Sequence, residues 1–443
     1  MMDSLKPSGV EGFGEIPVDW EVNKMSFTFS FGKGLSITKE DLQDEGIPSI
    51  TYGDIHSRFG FQINPEVDEV RCVDPRYLKS ARNSLLQYGD FIFADTSEDI
   101  AGSGNFTHFN SQTPAFAGYH TITARAKCEV DVRFIAYLFD SEPFRNQIRN
   151  SVSGVKVFSI TQTILKNAKL LLPPLPEQRT ISALLDECCG QVDGITADLE
   201  QQVELLRKYK KALITETVTK GLDNAVQMKN SGVAWIGEIP RHWDVNKLRY
   251  LTAMCSGATP SKDNLSYWDG DIPWISSMEV KTDVIMDTSL HISEEAVRSC
   301  STQLLPVGTV VMVVRSGILQ HTLPVALTGV PATINQDIKA FFFKSDIRPA
   351  YFKYYVQGLN DYLLCALCKE KSTVDNIDGN LLLSCPVPVP PIWEQDEILS
   401  DLDNRCGQIN DLITEKQKAI ETMRQYKRSL IYEYVTGKKR VAH

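Results

Sequence analysis

Apolar and polar positions follow a helical period over a long proline-free stretch, residues 177–219. Apolar or small residues recur there in alternating steps of four and three, at positions 181, 185, 188, 192, 195 and 199, and continue after a break at 203, 206, 209 and 213. Alternating steps of four and three predict a helix with a heptad stripe. About 43 residues at ~1.5 Å each would give a rod of about 60 Å.

A second stretch near the end of the chain has the same stripe. Its apolar positions are Ile398, Leu402, Ile409, Leu412, Ile420, Met423, Tyr426 and Leu430. Lys416 and Arg405 also fall on stripe positions, and we expect them to loosen the seam locally. Each helix follows prolines and is expected to end near a glycine, Gly221 or Gly437.

A single exposed stripe needs an apolar partner, and the nearest one is the other stripe. The chain therefore predicts an intramolecular antiparallel coiled coil with a pseudo-twofold axis, which would place the two intervening segments at opposite ends of the rod. Pairing with another chain, or packing of each helix on its own domain, are the alternatives.

The segments before each helix have mixed patterns. GDFIFADT (89–96) and VGTVVMVVRSG (307–317) read as buried strands followed by loops, whereas 132–149 and 350–369 read as aromatic-rich helices. The fold class predicted is α/β, with two mixed domains separated by two long helices.

The chain also repeats itself in sequence. GEIPVDWEVNK (14–24) returns as GEIPRHWDVNK (237–247), and LPPLPEQR (172–179) returns as VPPIWEQD (389–396). Between these echoes lie dissimilar segments, so one unit is written twice with a variable middle. The predicted domains are residues 1–172, a helix at 173–221, a linker at 222–234, a second domain at 235–389 and a second helix at 390–437.

Composition narrows the class of protein. Of 443 residues, 42% are hydrophobic and 23% charged, which is typical of soluble globular proteins. No apolar run approaches the ~20 residues of a membrane helix, and the start lacks the layout of a signal peptide. Ten scattered cysteines indicate a reducing, cytoplasmic setting. The formal charge of −10 argues mildly against nucleic acid as a partner.

Familiar catalytic patterns are missing from the sequence. It has no G-x-x-x-x-G-K-[ST] loop and no H-E-x-x-H pair. DPRY (74–77) and NPEV (64–67) lack the second proline of an amino-methyltransferase loop. Cys365 and Cys368 form a lone C-x-x-C in a helical stretch, which favours a core face over zinc, and no metal site is predicted.

Two unlike domains at a fixed separation suit duplex DNA, whose half-sites face one side when they lie about a helical turn, ~34 Å, or a multiple apart. The resemblance that follows is carried by both echoes, by SGATPSKDNLSYWDGDIPWISS (256–277) and by TADL (196–199). Over essentially its full length the chain resembles the specificity subunit of Type I restriction–modification systems.

That resemblance implies two target-recognition domains that read an asymmetric, bipartite site in double-stranded DNA. It implies a non-enzymatic chain that scaffolds two methyltransferase subunits and two restriction subunits. S-adenosylmethionine, ATP and magnesium would be used by those partners, and this chain would hold no cofactor. The alternatives are a coiled-coil adaptor that does not touch DNA and a solitary DNA-modifying enzyme.

The predicted DNA contacts lie in loops of both domains. Arg315 follows a buried strand and can grip guanine bidentately, and the acidic loop after GDFIF is its counterpart. Capping of turns and solvated surface charge are the alternative roles for these residues. The predicted set is Lys33, Lys39, Asp95, Thr96, Ser97, Asp99 and Lys156 in the first domain, and Ser261, Lys262, Tyr267, Arg315, Ser316, Gln320, His321 and Lys371 in the second.

Overall fold

The computed structural model describes residues 4–154, 156–300, 302–368 and 375–441. The chain divides into two compact units: unit 1 is Met1–Asp198 with Ala419–His443, and unit 2 is Leu199–Lys418. The division falls inside both long helices, so each unit contains one mixed domain and a part of each helix.

The elements up to the end of the first long helix are, in chain order, β1 (Leu5–Pro7), β2 (Glu15–Pro17), β3 (Glu21–Lys24), α1 (Met25–Thr28), β4 (Phe29–Lys33), β5 (Ile47–Ile50), α2 (Tyr52–Ser57), β6 (Gln62–Ile63), β7 (Cys72–Val73), α3 (Tyr77–Ser80), β8 (Phe91–Ala94), β9 (Thr96–Ser97), β10 (Phe106–Phe109), β11 (Phe116–Ala117), β12 (Thr121–Ala126), α4 (Val132–Asp140), α5 (Glu142–Arg149), β13 (Phe158–Ser159), α6 (Gln162–Asn167), β14 (Lys169–Leu172) and α7 (Leu175–Lys220). The elements that follow are β15 (Met228–Asn230), β16 (Glu238–Pro240), β17 (Asp244–Lys247), α8 (Leu248–Leu251), β18 (Thr252–Ser256), β19 (Ile272–Ile275), β20 (Val284–Ile285), β21 (His291–Ile292), α9 (Glu294–Ser299), β22 (Val310–Val313), β23 (Val325–Thr328), β24 (Thr333–Ile334), β25 (Ile338–Phe343), α10 (Pro349–Gly358), α11 (Asn360–Leu367), α12 (Gly379–Ser384), β26 (Pro386–Val389) and α13 (Ile392–Val435).

A five-stranded mixed sheet forms the frame of each domain. The strand order is β4-β12-β8-β10-β6 in unit 1 and β18-β25-β22-β23-β20 in unit 2. The last pair in each order is parallel and the others are antiparallel. The central strands β8 and β22 are buried at every position, as predicted. The repetition therefore extends through the middles whose sequences differ, which confirms the mixed α/β class.

The two long helices run antiparallel in both units. In unit 1, Ile181 and Leu185 near the start of α7 share a core with Leu430 and Tyr434 near the end of α13. In unit 2 the end of α7 shares a core with the start of α13, through side chains that include Leu213, Val218, Ile398 and Leu402. Polar contacts join the same helices: Lys427 forms an ion pair with Asp193 at 2.7 Å, and Lys210 donates a hydrogen bond to Asn410 at 3.0 Å. The predicted pairing is confirmed within each unit.

The predicted apolar seam is nevertheless wrong in several places. Ile195, Tyr209, Leu412 and Tyr426 are about half exposed, although the heptad spacing placed them on the seam. Cys189 is buried, whereas its neighbour Cys188 is only partly so. Each helix packs on its own domain as well as on the other helix, so the buried face shifts around the helix and leaves the strict heptad track.

Within each unit, the repeated phrase that opens the unit contacts the repeated phrase that begins the long helix. The indole N–H of Trp20 donates to Glu177 at 3.2 Å, and that of Trp243 donates to Glu394 at 2.9 Å. Both tryptophans are fully buried. The phrase that opens each unit thus holds the first turn of the long helix that follows the variable middle.

The glutamine after each of these glutamates ties the helix start to its domain. Gln178 donates to the carbonyl of Pro173, and Gln395 donates to that of Pro390, both at 2.8 Å. Their side-chain oxygens accept from backbone N–H groups just before α4 and α10. These bonds fix where each long helix leaves its sheet.

Two details go beyond what the sequence pattern predicted. Residues 132–149 and 350–369 were read as helices, and each stretch holds two: Ser141 is extended between α4 and α5, just before Pro143, and Leu359 separates α10 from α11. The linker 222–234 contains β15, which pairs with β16 just as β1 pairs with β2. The domain boundaries themselves remain a prediction.

Removing the acceptor of a buried indole should destabilise unit 2. We expect Glu394→Ala to lower the free energy of unfolding by about 1–3 kcal/mol, since Trp243 N–H would stay buried without an acceptor. Urea unfolding monitored by tryptophan fluorescence measures this. Glu397→Ala, an exposed glutamate of the same helix, is the matched control and should change little. Equal losses in the two variants would contradict the role given to the Trp–Glu contact.

His108 on β10 is a buried histidine with an unusual environment. Its side chain is fully buried against Phe91, and neither ring nitrogen has a hydrogen-bond partner among the described residues. Burial lowers its pKa to about 4. The matching strand position in unit 2, opposite Val310 as His108 is opposite Phe91, holds Leu327. A neutral apolar side chain therefore fits this place in the fold.

This histidine should make stability depend on pH. Between pH ~6.5 and 4 the unfolded chain binds a proton at His108 that the folded chain does not, so stability falls as the pH drops through this window, by about 3 kcal/mol in all. We expect His108→Leu to be less acid-sensitive than the parent. Melting temperatures at pH 5 and pH 7 test this, and an unchanged pH dependence would show that the histidine does not titrate in this way.

Candidate nucleic-acid interface

Each five-stranded sheet gathers its loops at one edge. Because β10 and β12 run antiparallel to β8, their amino ends lie beside the carboxyl ends of β4 and β8. We call this the loop edge of unit 1, formed by residues 33–34, 95–105 and 118–120. The equivalent strands of unit 2 form its loop edge from residues 256–262, 314–324 and 335–337.

The acidic loop of unit 1 is shaped by its own polar side chains. Ser97 Oγ accepts from the N–H of Asp99 at 3.4 Å, and Asp99 accepts from the N–H of Gly102 at 2.6 Å. Asp95 bonds to Nδ1 of His120 at 3.1 Å. Thr96 contributes its carbonyl, which accepts from His56. Turn capping, the alternative role, therefore applies to Ser97 and Asp99, while Asp95 holds a ring on a neighbouring turn.

The predicted lysines of unit 1 are all exposed but do not all lie together. Lys33 ends β4 at the loop edge. Lys156 immediately precedes the segment that pairs with β9, since Phe158 lies opposite Ser97. Lys39 begins a short 3-10 turn that leads to the three-stranded sheet, through the bridge of Gln43 to Cys72. The structure brings Lys33 to the loop edge and Lys156 near it, whereas Lys39 lies on the turn that leads to the three-stranded sheet.

An open cleft of about 900 Å³ adjoins this edge. Its lining includes Tyr52, His56, Asp99, Asn105 and His120. His56 Nε2 lies 2.8 Å from the Thr96 carbonyl and Nδ1 lies 2.9 Å from the Asn105 amide nitrogen. Since a carbonyl only accepts and an amide nitrogen only donates, Nε2 carries a proton and Nδ1 accepts. Asp99 was among the predicted residues, whereas Tyr52, His56, Asn105 and His120 were not, because they are far apart in the chain and only the strand order joins them.

The corresponding loop of unit 2 carries the predicted arginine. Arg315 donates through Nε to Asp337 at 2.7 Å, and its Nη2 lies 2.6 Å from the same oxygen. Ser316 Oγ accepts from the N–H of Ile318 at 3.4 Å, the same turn geometry as Ser97. Gln320 and His321 follow in a short 3-10 turn, and both are exposed. Asp337 was not among the predicted residues.

The first loop of unit 2 lies against the turn that carries Asp337. Gly257 has no room for a side chain, since a Cβ there would come within 1.7 Å of the Ile334 carbonyl. Thr259 donates to Gln336 at 2.6 Å. Beyond it, Ser261 accepts through its carbonyl from the indole of Trp268, and its hydroxyl accepts from the N–H of Asp263.

Lys262 is exposed on this loop. Tyr267 and Trp268 are half-buried beside a small core that contains Trp274. Lys371 lies outside the described residues. The structure therefore presents Lys262 to solvent and gives Tyr267 at least a packing role, while DNA contact by the predicted residues remains a prediction.

A cleft of about 670 Å³ adjoins the loop edge of unit 2. Loop residues Ser316 and His321 line one part of it. Basic side chains line another part, and they are Arg207, Lys210, Lys211 and Lys281. Three of these come from α7, so this cleft joins the loop edge to a basic face of the long helix.

Two negative findings complete the description. Among the described residues, no group of three or more His, Cys, Asp and Glu side chains is arranged to hold a metal ion. None of the helices in that part of the chain combines the length and apolar character that crossing a membrane requires.

Comparison with known protein families finds the same two-part repetition. The model of the Type I restriction modification DNA specificity domain matches residues 17–205 and again 240–422. The chain belongs to this family, which confirms the resemblance inferred from its motifs.

Relatives agree with this assignment. The EcoR124I/EcoR124II specificity subunit of Escherichia coli is 30% identical over 58% of this chain and 59% of its own length. A putative type I restriction enzyme MjaX specificity subunit of Methanocaldococcus jannaschii is 24% identical over 97% of this chain and 95% of its own.

Among solved structures, a chain from a study of complex assembly and conformational transition of the type I R-M system gives a TM-score of 0.70, with 18% identity over 96% of this chain and 99% of that one. The HsdS subunit from Thermoanaerobacter tengcongensis gives 0.50, with 16% identity over 97% and 100%. These two likenesses are likenesses of fold.

Proposed function

We propose that this chain is the DNA-recognition subunit of a Type I restriction–modification complex and that it reads a bipartite, asymmetric target in the cytoplasm. One observation carries the proposal: two units share a strand order and an echoed frame but differ in the side chains at their loop edges. A repeated frame with unlike loops suits a target whose two half-sites differ. Base edges in the major groove offer distinct donor and acceptor patterns for such loops to distinguish.

The chemistry would belong to other chains. Nucleotide-binding and methyltransferase motifs are missing from this sequence, whereas modification needs S-adenosylmethionine and restriction needs ATP and magnesium. We assign those cofactors to two methyltransferase subunits and two restriction subunits. The chain itself would be non-catalytic, and it would determine where the partners act.

The net charge of −10 argues against binding to DNA phosphates, but the local distribution of basic side chains matters more than the net value. Phosphate contacts need only a local cluster of basic side chains. The cleft at the loop edge of unit 2 supplies Arg207 and Lys281, and the loop edge of unit 1 supplies Lys33 and Lys156. Acidic surface elsewhere then does not prevent docking of a duplex at these edges.

Selection of DNA by the assembled complex tests the proposal. We expect the full chain, co-expressed with the modification subunit of its host, to enrich a split motif from randomised duplexes, with unlike halves and a gap of about a half to one helical turn. An adaptor that does not touch DNA would enrich no sequence. A solitary enzyme would methylate or cleave DNA without partner subunits, and either result would overturn the proposal.

Two copies of one partner require a docking surface that occurs twice. The motif R-x-Y-K-[KR] occurs on α7 at 207–211 and on α13 at 424–428. Its tyrosines, Tyr209 and Tyr426, are each 54% exposed. A tyrosine with an exposed ring is a common anchor at protein interfaces. We assign one modification subunit to each copy of the motif.

Single substitutions should therefore change stoichiometry. We expect Tyr209→Ala or Tyr426→Ala to weaken one of two binding events and to yield complexes with one modification subunit at concentrations where the parent binds two, as measured by native mass spectrometry. Leu205→Ala is the control, because Leu205 is similarly exposed on α7 and its counterpart at 422 is a threonine. Retention of two subunits by both tyrosine variants would place the docking surface elsewhere.

A further inference from the structure

A carboxylate paired with a nitrogen-bearing side chain lies at the loop edge of each unit, between the end of the central strand and the turn before the next strand of the sheet. In unit 1 the carboxylate, Asp95, follows the central strand β8, and the ring of His120 comes from the turn before β12. In unit 2 the cation, Arg315, follows the central strand β22, and the carboxylate, Asp337, comes from the turn before β25. Carboxylate and partner have exchanged strands.

Backbone hydrogen bonds establish that these places correspond. The N–H of Asp95 donates to the carbonyl of His120 at 3.0 Å, and the N–H of Val314 donates to that of Asp337 at 2.8 Å. His120 therefore corresponds to Asp337. One residue further along, Thr96 lies opposite Ser159 and Arg315 opposite Asn376, so these two correspond as well. Asp95 therefore corresponds to Val314, and the two pairs are offset by one residue after the central strand.

Exposure follows the chemistry of the pair. The side chains of His120 and Arg315 are 55% and 51% exposed. Their carboxylate partners are more covered, at 33% for Asp95 and 21% for Asp337. In both units a half-covered carboxylate thus holds a side chain that faces solvent at the loop edge.

The arginine of unit 2 is held in a way that leaves its outer donors available. A guanidinium has five N–H donors, and Asp337 accepts from Nε and Nη2 at a single oxygen. No described residue accepts from Nη1. Asp337 is itself braced, since its N–H donates to Asn335 at 3.0 Å. The Nη1 and Nη2 ends can therefore approach the O6 and N7 acceptors of a guanine.

The histidine of unit 1 presents the opposite chemistry. A carboxylate can only accept, so Nδ1 donates to Asp95, and in the neutral tautomer that this bond selects the lone pair lies on Nε2. The ring is also positioned by edge contacts to Tyr52 and Tyr119, with centroid distances of 5.4 and 5.9 Å. No described residue bonds Nε2. An acceptor in this position suits the exocyclic amine of adenine or cytosine.

We propose that this exchanged pair is the base-reading element of each unit: Arg315, positioned by Asp337, reads a guanine in one half-site, and His120, positioned by Asp95, reads an amine-bearing base in the other. The inference rests on the proposed function and deepens it. The same loop edge of one fold would offer a donor fork in unit 2 and an acceptor in unit 1. Exchange of the pair would itself make the two half-sites unlike.

Sequence selection by variant complexes tests this directly. The full chain with its modification subunits is challenged with duplexes in which both half-sites are randomised, at one fixed salt concentration. We expect Arg315→Ala to abolish the preference at one guanine in a single half-site, with discrimination falling about five- to 150-fold, the range of a good bidentate contact. His120→Asn, chosen because asparagine tolerates the positive φ of 55° at this position, should relax one position of the other half-site.

Two further variants separate base reading from simple charge. Arg315→Lys keeps the positive charge but not the planar fork, so it should retain overall affinity and still lose the guanine preference. Arg298→Ala removes an exposed arginine that is paired with Glu294 at 3.3 Å, and it should leave both half-sites unchanged. Melting temperatures equal to that of the parent show that each variant is folded.

The outcomes are distinguishable from failure of the proposed function. If the parent complex enriches no motif, the proposed function is wrong. If the parent enriches a split motif and Arg315→Ala and His120→Asn keep every base preference, weakening binding equally for all sequences, then these residues contact backbone and the inference is overturned. Loss of preference in both half-sites from one substitution would overturn it as well.

Discussion

The contact between a buried tryptophan and a glutamate is the constraint on which each unit depends. Trp20 and Trp243 lie within the opening phrase of their units, while Glu177 and Glu394 lie beyond the variable middle. A fully buried indole N–H is costly without an acceptor, so the two ends of each unit must meet whatever the sequence between them. This requirement explains why the chain repeats the same two phrases and leaves the intervening segment free to diverge.

Divergence is then confined to places where it does not disturb the frame. The central strands β8 and β22 are both fully buried, yet one is rich in phenylalanine and the other in valine, and neighbouring helices supply complementary volume. At the loop edges the shared constraint is backbone pairing, which leaves side-chain chemistry open except at positions such as Gly257, where a Cβ would clash. A histidine can therefore replace an aspartate at one turn, as at His120 and Asp337, while the hydrogen bond beneath it is unchanged.

The sequence contained the frame but only part of the site. Periodicity and the echoes located α7, α13 and the central strands, because those features depend on patterns along the chain. The heptad spacing also placed Ile195 and Tyr209 on a buried seam, but both are about half exposed. Such a spacing marks an apolar face without showing which part of that face packs on a domain. The sequence patterns also missed His56, Asn105 and Asp337, whose partners are set by strand order. The loop residues Arg315 and Asp95 were identifiable because each follows a recognisable buried strand.

Charge and specificity are connected in this architecture. Non-specific affinity for DNA grows with the number of phosphates that a protein neutralises, and a chain with a net charge of −10 makes little of it except at local basic patches. When non-specific affinity for the phosphates is weak, a larger share of the binding free energy must come from base contacts. Side chains held rigidly by a carboxylate lose less conformational entropy on binding than free ones. Under the proposed function, an acidic chain with braced side chains at its loop edges would discriminate sequences by a few well-positioned groups.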